Sequence, residues 1–177
     1  MKRLVLLALV LMFAVACDDD NPNSPSDSNT RRFTAILLPQ NEVPAITSGP
    51  DAGASGTMQL TMTVTRDGAN AITGATYDFT VNITGFQPNT TLTGSHIHNG
   101  PAGANLPVVV NVPLGTENVL STGQTTIIRT GLPSSSGTVS AAAVAQGIWD
   151  NPGANYFNVH TTTNTGGAIR GQLVRID

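Results

Sequence analysis

His96 and His98 flank Ile97, and His160 follows Phe157-Asn158-Val159; no other histidine occurs in the 177 residues. Residues two apart in a strand share a face at about 7 Å between Cα atoms, so His96 and His98 project together. His160 alternates with Val159 and Phe157 in the same way. If the apolar residues enter a core, all three imidazoles lie on the opposite, wetter face. Such a set serves one of two ends. The weightier is loop fixation through hydrogen bonds, because the chain supplies no complete ligand set of the kind metal sites need. The other is a weak metal site at His96, His98 and His160. Neutral imidazoles suit Cu²⁺ or Zn²⁺, with copper favoured by the Irving–Williams order, and three protein ligands leave a position open to water.

Glu42 and Arg170 are scarce charges, since no Lys follows Lys2 and Glu117 is the only other Glu. The favoured reading is a structural ion pair that pins the first loop to the last strand. The functional alternative places Glu42 near the histidines, as a carboxylate ligand or an anchor for an imidazole N–H. Other chemistry is missing. There is no Gly-x-Ser-x-Gly elbow, no Walker loop, no dinucleotide fingerprint and no zincin helix. Formal net charge is −3, or −5 without Lys2 and Arg3, and no basic stripe exists, which argues against nucleic acid as a partner.

Cys17 is the sole cysteine, which excludes an internal disulfide. It stands directly behind an apolar run, Leu4 to Ala16, that follows Met1-Lys2-Arg3. At 1.5 Å per residue this run reaches about 20 Å, short of the roughly 30 Å hydrocarbon core. The pattern is that of a secretory signal over 1–16. Ala14-Val15-Ala16-Cys17 resembles the bacterial lipobox, with Ala14 in place of the usual Leu. That resemblance implies cleavage before Cys17, acylation of its thiol and anchoring to a bacterial membrane; ordinary secretion is the alternative. Residues 17–31 are rich in Asp, Asn, Pro and Ser, and read as a flexible tether, because they bury too little to offset ordering entropy.

The elements that must position these groups are strands. Only 11 % of residues are charged, against roughly 25 % in a typical soluble domain, while 40 % are hydrophobic and Thr is abundant. Met58, Leu60, Met62 and Val64 alternate with polar residues, as do Tyr77, Phe79, Val81 and Ile83. Each run predicts a strand with one apolar face, the two joined as an antiparallel hairpin with a loop of several residues. Further strands are expected over 33–38, 108–112, 125–129, 156–161 and 169–176, with a turn at Asn164-Thr165-Gly166-Gly167. One short helix is expected over 139–149, stopped by Pro152 and Gly153, with Trp149 packing it onto the sheet. The fold class is therefore all-β, a β-sandwich or Greek-key barrel of about seven or eight strands.

Four stretches occur in order: Asn41-Glu42-Val43-Pro44; His96-Ile97-His98 with Gly100-Pro101-Ala102-Gly103 and Pro107-Val108-Val109-Val110; Tyr156-Phe157-Asn158-Val159-His160-Thr161; and Gly167-Ala168-Ile169-Arg170-Gly171-Gln172-Leu173. Together they resemble the CHRD domain, the module named after chordin, over about Arg32 to Ile176. Two positions depart from the family pattern. Ala168 replaces the usual Glu, and Asn99 separates the His pair from the Gly-Pro-Ala-Gly run. The resemblance implies an immunoglobulin-like, secreted all-β domain over 32–177 and names no reaction. The expected function is a binding or interaction module at the cell envelope, with an unknown protein or envelope ligand. A copper or zinc redox enzyme built on His96, His98 and His160 is the first alternative, and a purely structural envelope component the second.

Overall fold

A computed structural model describes residues 29–134 and 139–177. The signal segment, Cys17 and most of the tether lie outside the described residues. Two antiparallel sheets pack face to face. The first is ordered β10-β1-β2-β3-β7, from Val174–Arg175, Thr30–Leu37, Ser55–Arg66, Ile72–Thr84 and Thr125–Pro133. The second is ordered β5-β4-β8-β9, from Val108–Asn111, Thr90–Asn99, Asn155–Thr161 and Ile169–Gln172, while β6 (Val119–Leu120) pairs with β4. Of the two expected architectures the sandwich is adopted. Its first strand begins at Thr30, two residues ahead of the expected domain start.

The alternating runs form the expected hairpin. Met58, Leu60, Met62, Tyr77, Phe79 and Val81 are each at most 1 % exposed, and the β2–β3 register sets Leu60 opposite Phe79. Asp67 closes the loop between them, its Oδ1 accepting the N–H groups of Ala69 and Ala71. Ile97, Val110, Phe157, Val159 and Ile169 face this layer from the second sheet. The Phe79 and Phe157 rings, 6.1 Å apart, join the two halves of the core.

Among the described residues there are ten strands, more than the seven or eight expected. In β4 the two buried apolar residues, Leu92 and Ile97, are five apart, so they lack common parity. A register shift between Leu92 and Gly94 brings both inward. The expected strand over 169–176 is two strands in different sheets, because the chain crosses the sandwich at buried Leu173. Helix α1 spans Ala141–Asp150, not 139–149, since the Ser140 side chain accepts from Ala143 N–H and caps it. It packs on β3, with Trp149 buried and the Arg31 guanidinium 3.9 Å from its ring centroid.

The sheets meet at one corner. Leu38 and Arg170 exchange backbone hydrogen bonds of 3.1 and 3.2 Å. A Cβ on Gly171 would stand 2.1 Å from the Ile36 carbonyl oxygen, so only glycine permits this approach.

Candidate functional site

The outer face of the second sheet carries the three histidines. On β4, His96 and His98 point away from buried Ile97; on β8, His160 points away from Val159. The β4–β8 register sets His96 opposite Asn158, His98 opposite Tyr156 and His160 opposite Gly94. Gly94 makes the room. A Cβ there would meet His96 Cε1 at 2.7 Å and Nε2 at 3.1 Å, so the imidazole lies back over the glycine.

The three imidazoles converge, with ligand nitrogens no more than 4.8 Å from one another. Ring centroids of His96 lie 5.6 Å from His98 and 5.0 Å from His160. The expected face is correct but its wetness is not: His98 is buried and the other two are half-buried. Loops cover them. His98 Nδ1 donates to the Leu106 carbonyl at 2.7 Å, and His160 Nδ1 donates to the Thr165 carbonyl at 2.9 Å. Each anchor fixes a tautomer and leaves Nε2 as the lone-pair nitrogen. His98 Nε2 and His96 Nδ1 are buried without a hydrogen-bond partner. A buried polar atom left so costs about 1–3 kcal/mol.

Burial holds all three below the ordinary imidazole range. His96 is lowered to about 4, by desolvation first and then by the neighbouring His160 and His98. Burial also lowers His98 and His160, while the Leu106 and Thr165 carbonyls oppose it. The imidazoles are therefore neutral at pH 7, the form in which they bind metals.

Arg170 and Glu42 are buried beside this face but outside the histidine group. Arg170 Nε donates to the Asn41 carbonyl at 2.7 Å, and Nη1 to the Ala104 carbonyl at 3.1 Å and Asn105 Oδ1 at 3.0 Å. Its Nε lies 3.9 Å from Glu42 Oε2, beyond hydrogen-bond reach. Arg170 thus ties the first loop to the last part of the sheet mainly through backbone carbonyls, not through a hydrogen-bonded pair with Glu42. Desolvation raises Glu42 to about 7, against the pull of Arg170 and of the Val43 N–H. Glu42 anchors neither Nδ1; backbone carbonyls do that.

Two residues of this face and one that braces a loop over it escaped the sequence reading. Tyr156 stacks on His98 at 4.7 Å with planes 2° apart, and the Arg170 guanidinium lies 4.3 Å from the same ring. Asn158 is buried between His96 and His160. Buried Asp51 accepts from Thr161 Oγ1 at 2.6 Å and Asn164 Nδ2 at 2.7 Å, holding the loop that carries Thr165. Tyr156 and Asn158 share the parity of His160, which was the available signal; Asp51 offered none.

The fold and face together define a two-sheet β domain whose histidine cluster sits outside the sandwich, under loops. The chain belongs to the CHRD domain family, whose family model matches residues 33–173. No curated protein and no solved structure is significantly similar to it. The stretches that carry the family resemblance meet in space: Arg170 bonds the loop of Asn41, the loop after Gly100-Pro101-Ala102-Gly103 and the ring of Tyr156.

Proposed function

We propose that this protein is an envelope-anchored CHRD module that binds a Cu²⁺ or Zn²⁺ ion at His96, His98 and His160. The observation that carries the reading is the convergence of three neutral imidazoles, two of them with a buried, unsatisfied nitrogen. Metal–nitrogen bonds of about 2.0–2.1 Å put adjacent donors roughly 3–3.5 Å apart, so the rings draw together by about 1 Å on loading. The backbone anchors on His98 and His160 act as the outer partners that orient metal-binding imidazoles. Loop fixation by histidine accounts for those anchors but leaves the unpaired nitrogens of His96 and His98 without a role.

Cys17, acylated after removal of residues 1–16, supplies the membrane anchor in this reading, and the segment behind it holds the domain off the bilayer. Calorimetric titration of the apo protein with Cu²⁺ and with Zn²⁺, beside His98→Ala, tests the metal. The expected result is one ion per chain for the wild type and at least about a tenfold weaker fit for the variant. Equal weak binding by both, or none at high micromolar metal, leaves only loop fixation. The anchor is tested by fractionation: Cys17→Ser is expected to leave the membrane or to stall unprocessed, and wild-type partitioning and migration of that variant sinks the lipoprotein reading.

A further inference from the structure

Asn158 sits in the middle of the histidine face and has no part in the set of three. It lies opposite His96 across the β4–β8 pair, two residues from His160 on the same side of β8, and is 1 % exposed. The Thr165 carbonyl can only accept, so His160 Nδ1 carries the ring proton and Nε2 of the neutral ring holds a bare lone pair. That nitrogen stands 3.0 Å from Asn158 Oδ1, which is also an acceptor. Two acceptors at this distance are reconciled in one of two ways: a cation shared between them, or an amide turned to donate its N–H to the ring. Among the described residues no carboxylate is hydrogen-bonded to any of the three imidazoles, so no anion offsets a proton placed there.

The same 3.0 Å is the spacing of two adjacent donors on one ion. Bonds of about 2.0–2.2 Å at angles near 90–109° set a nitrogen and an oxygen about 3.0–3.4 Å apart. Resting on the metal reading above, we propose that Asn158 Oδ1 is the fourth ligand, completing a three-nitrogen, one-oxygen set that selects Cu²⁺ or Zn²⁺ over Cu⁺. The ground for selection is donor hardness. An amide oxygen suits a divalent ion, whereas Cu⁺ prefers soft sulfur ligands and gains little from it. Four protein donors also fill a tetrahedral ion. The site then holds its metal without presenting an open position, which fits a binding module better than a redox enzyme.

Two measurements on the full chain decide the matter. In the wild type, Zn²⁺ titration followed by proton–nitrogen spectra of the side-chain amides is expected to shift the Asn158 NH₂ signals with the same stoichiometry as the imidazole nitrogens. This needs no variant to fold. Second, Cu²⁺ and Cu⁺ affinities are measured by chelator competition for wild type, Asn158→Ala and Asn158→Asp. Loss of the amide is expected to weaken Cu²⁺ about 10–100-fold while moving Cu⁺ by less than about threefold. Asn158→Asp keeps a ligating oxygen and is expected to match or exceed the wild type for Cu²⁺. The proposal is overturned if the Asn158 amide stays still while the imidazoles respond. It is equally overturned if Asn158→Ala binds Cu²⁺ as well as, or better than, the wild type. An amide turned to donate its N–H to His160 Nε2 gives that second result, because the metal must displace it. A wild type that binds no metal defeats the proposed function itself, whereas a still amide beside responsive imidazoles defeats only the role of Asn158.

Discussion

The β2–β3 hairpin and the β4–β8 pair are both antiparallel, yet they do opposite work. The first alternates regularly over Met58–Val64 and Tyr77–Ile83, its one register shift lying at the loop end between Thr65 and Arg66, and its other face is Thr, Gln, Asn and Asp open to solvent. The second carries a bulge in β4, and its outer face holds three histidines, Asn158 and Tyr156 under loops. The contrast separates two uses of a sheet. A regular strand spends both faces on folding, one on the core and one on solubility. The metal site proposed above needs a face shielded from water by other chain segments, and the loops around Leu106 and Thr165 cover this one.

The largest effect that tests this contrast is on the core side. Phe79→Ala is expected to cost about 3–5 kcal/mol in urea unfolding, by transfer loss plus the cavity left against Phe157. The folded fraction should keep its metal affinity. A matching loss of affinity in the folded protein would show that the two regions are one cooperative unit.

Gly94→Ala sharpens the contrast from the site side. The methyl displaces the end of the His96 ring, which has little room among its neighbours, so metal affinity is expected to fall about tenfold or more. Stability should change by about 1–3 kcal/mol, the ordinary range for a single overpacked group. If calorimetry finds unchanged affinity, His96 is not a ligand.

The smallest effect is on pH dependence. Unfolded histidine takes up a proton near 6.5, while folded His96 resists until about 4, so the unfolded state binds more protons between these values. The stabilising contribution of neutral His96 is present above 6.5 and is lost as pH falls toward 4. Glu42 runs the other way. Its folded value, about 7, exceeds the ordinary 4.5, so its contribution is present below 4.5 and lost as pH rises through 7. Glu42→Gln is therefore expected to gain on the order of 1–2 kcal/mol relative to wild type between pH 5 and 7.5. Denaturation midpoints of apo protein at four pH values measure both slopes, and parallel curves for wild type and Glu42→Gln would contradict the burial of that carboxyl.

The parts legible beforehand were those where one residue type reports one environment. Period-two alternation marks β2, β3 and β8, and the parity of His160 against Val159 and Phe157 is enough to choose its face. β4 was harder, because Leu92 and Ile97 both enter the core from positions that simple alternation assigns to opposite faces. The passage of Leu173 from one sheet to the other has no local signature, since both halves of 169–176 are extended. Arg170 and Glu42 stand out as scarce charges, but spacing along the chain does not show that backbone carbonyls take most of the Arg170 hydrogen bonds.

By itself the sequence determined an all-β domain, the strands of its regular hairpin, a family pattern and the face on which three imidazoles stand. Those follow from side-chain periodicity, which acts within a few residues. Tertiary structure alone decided that strands some sixty residues apart in the chain pair in the register that sets His160 opposite Gly94 and Asn158 opposite His96. It also decided that loops close over them. Burial and the neighbouring rings then keep the imidazoles neutral, and those are properties of assembled surfaces, which no single stretch of chain contains.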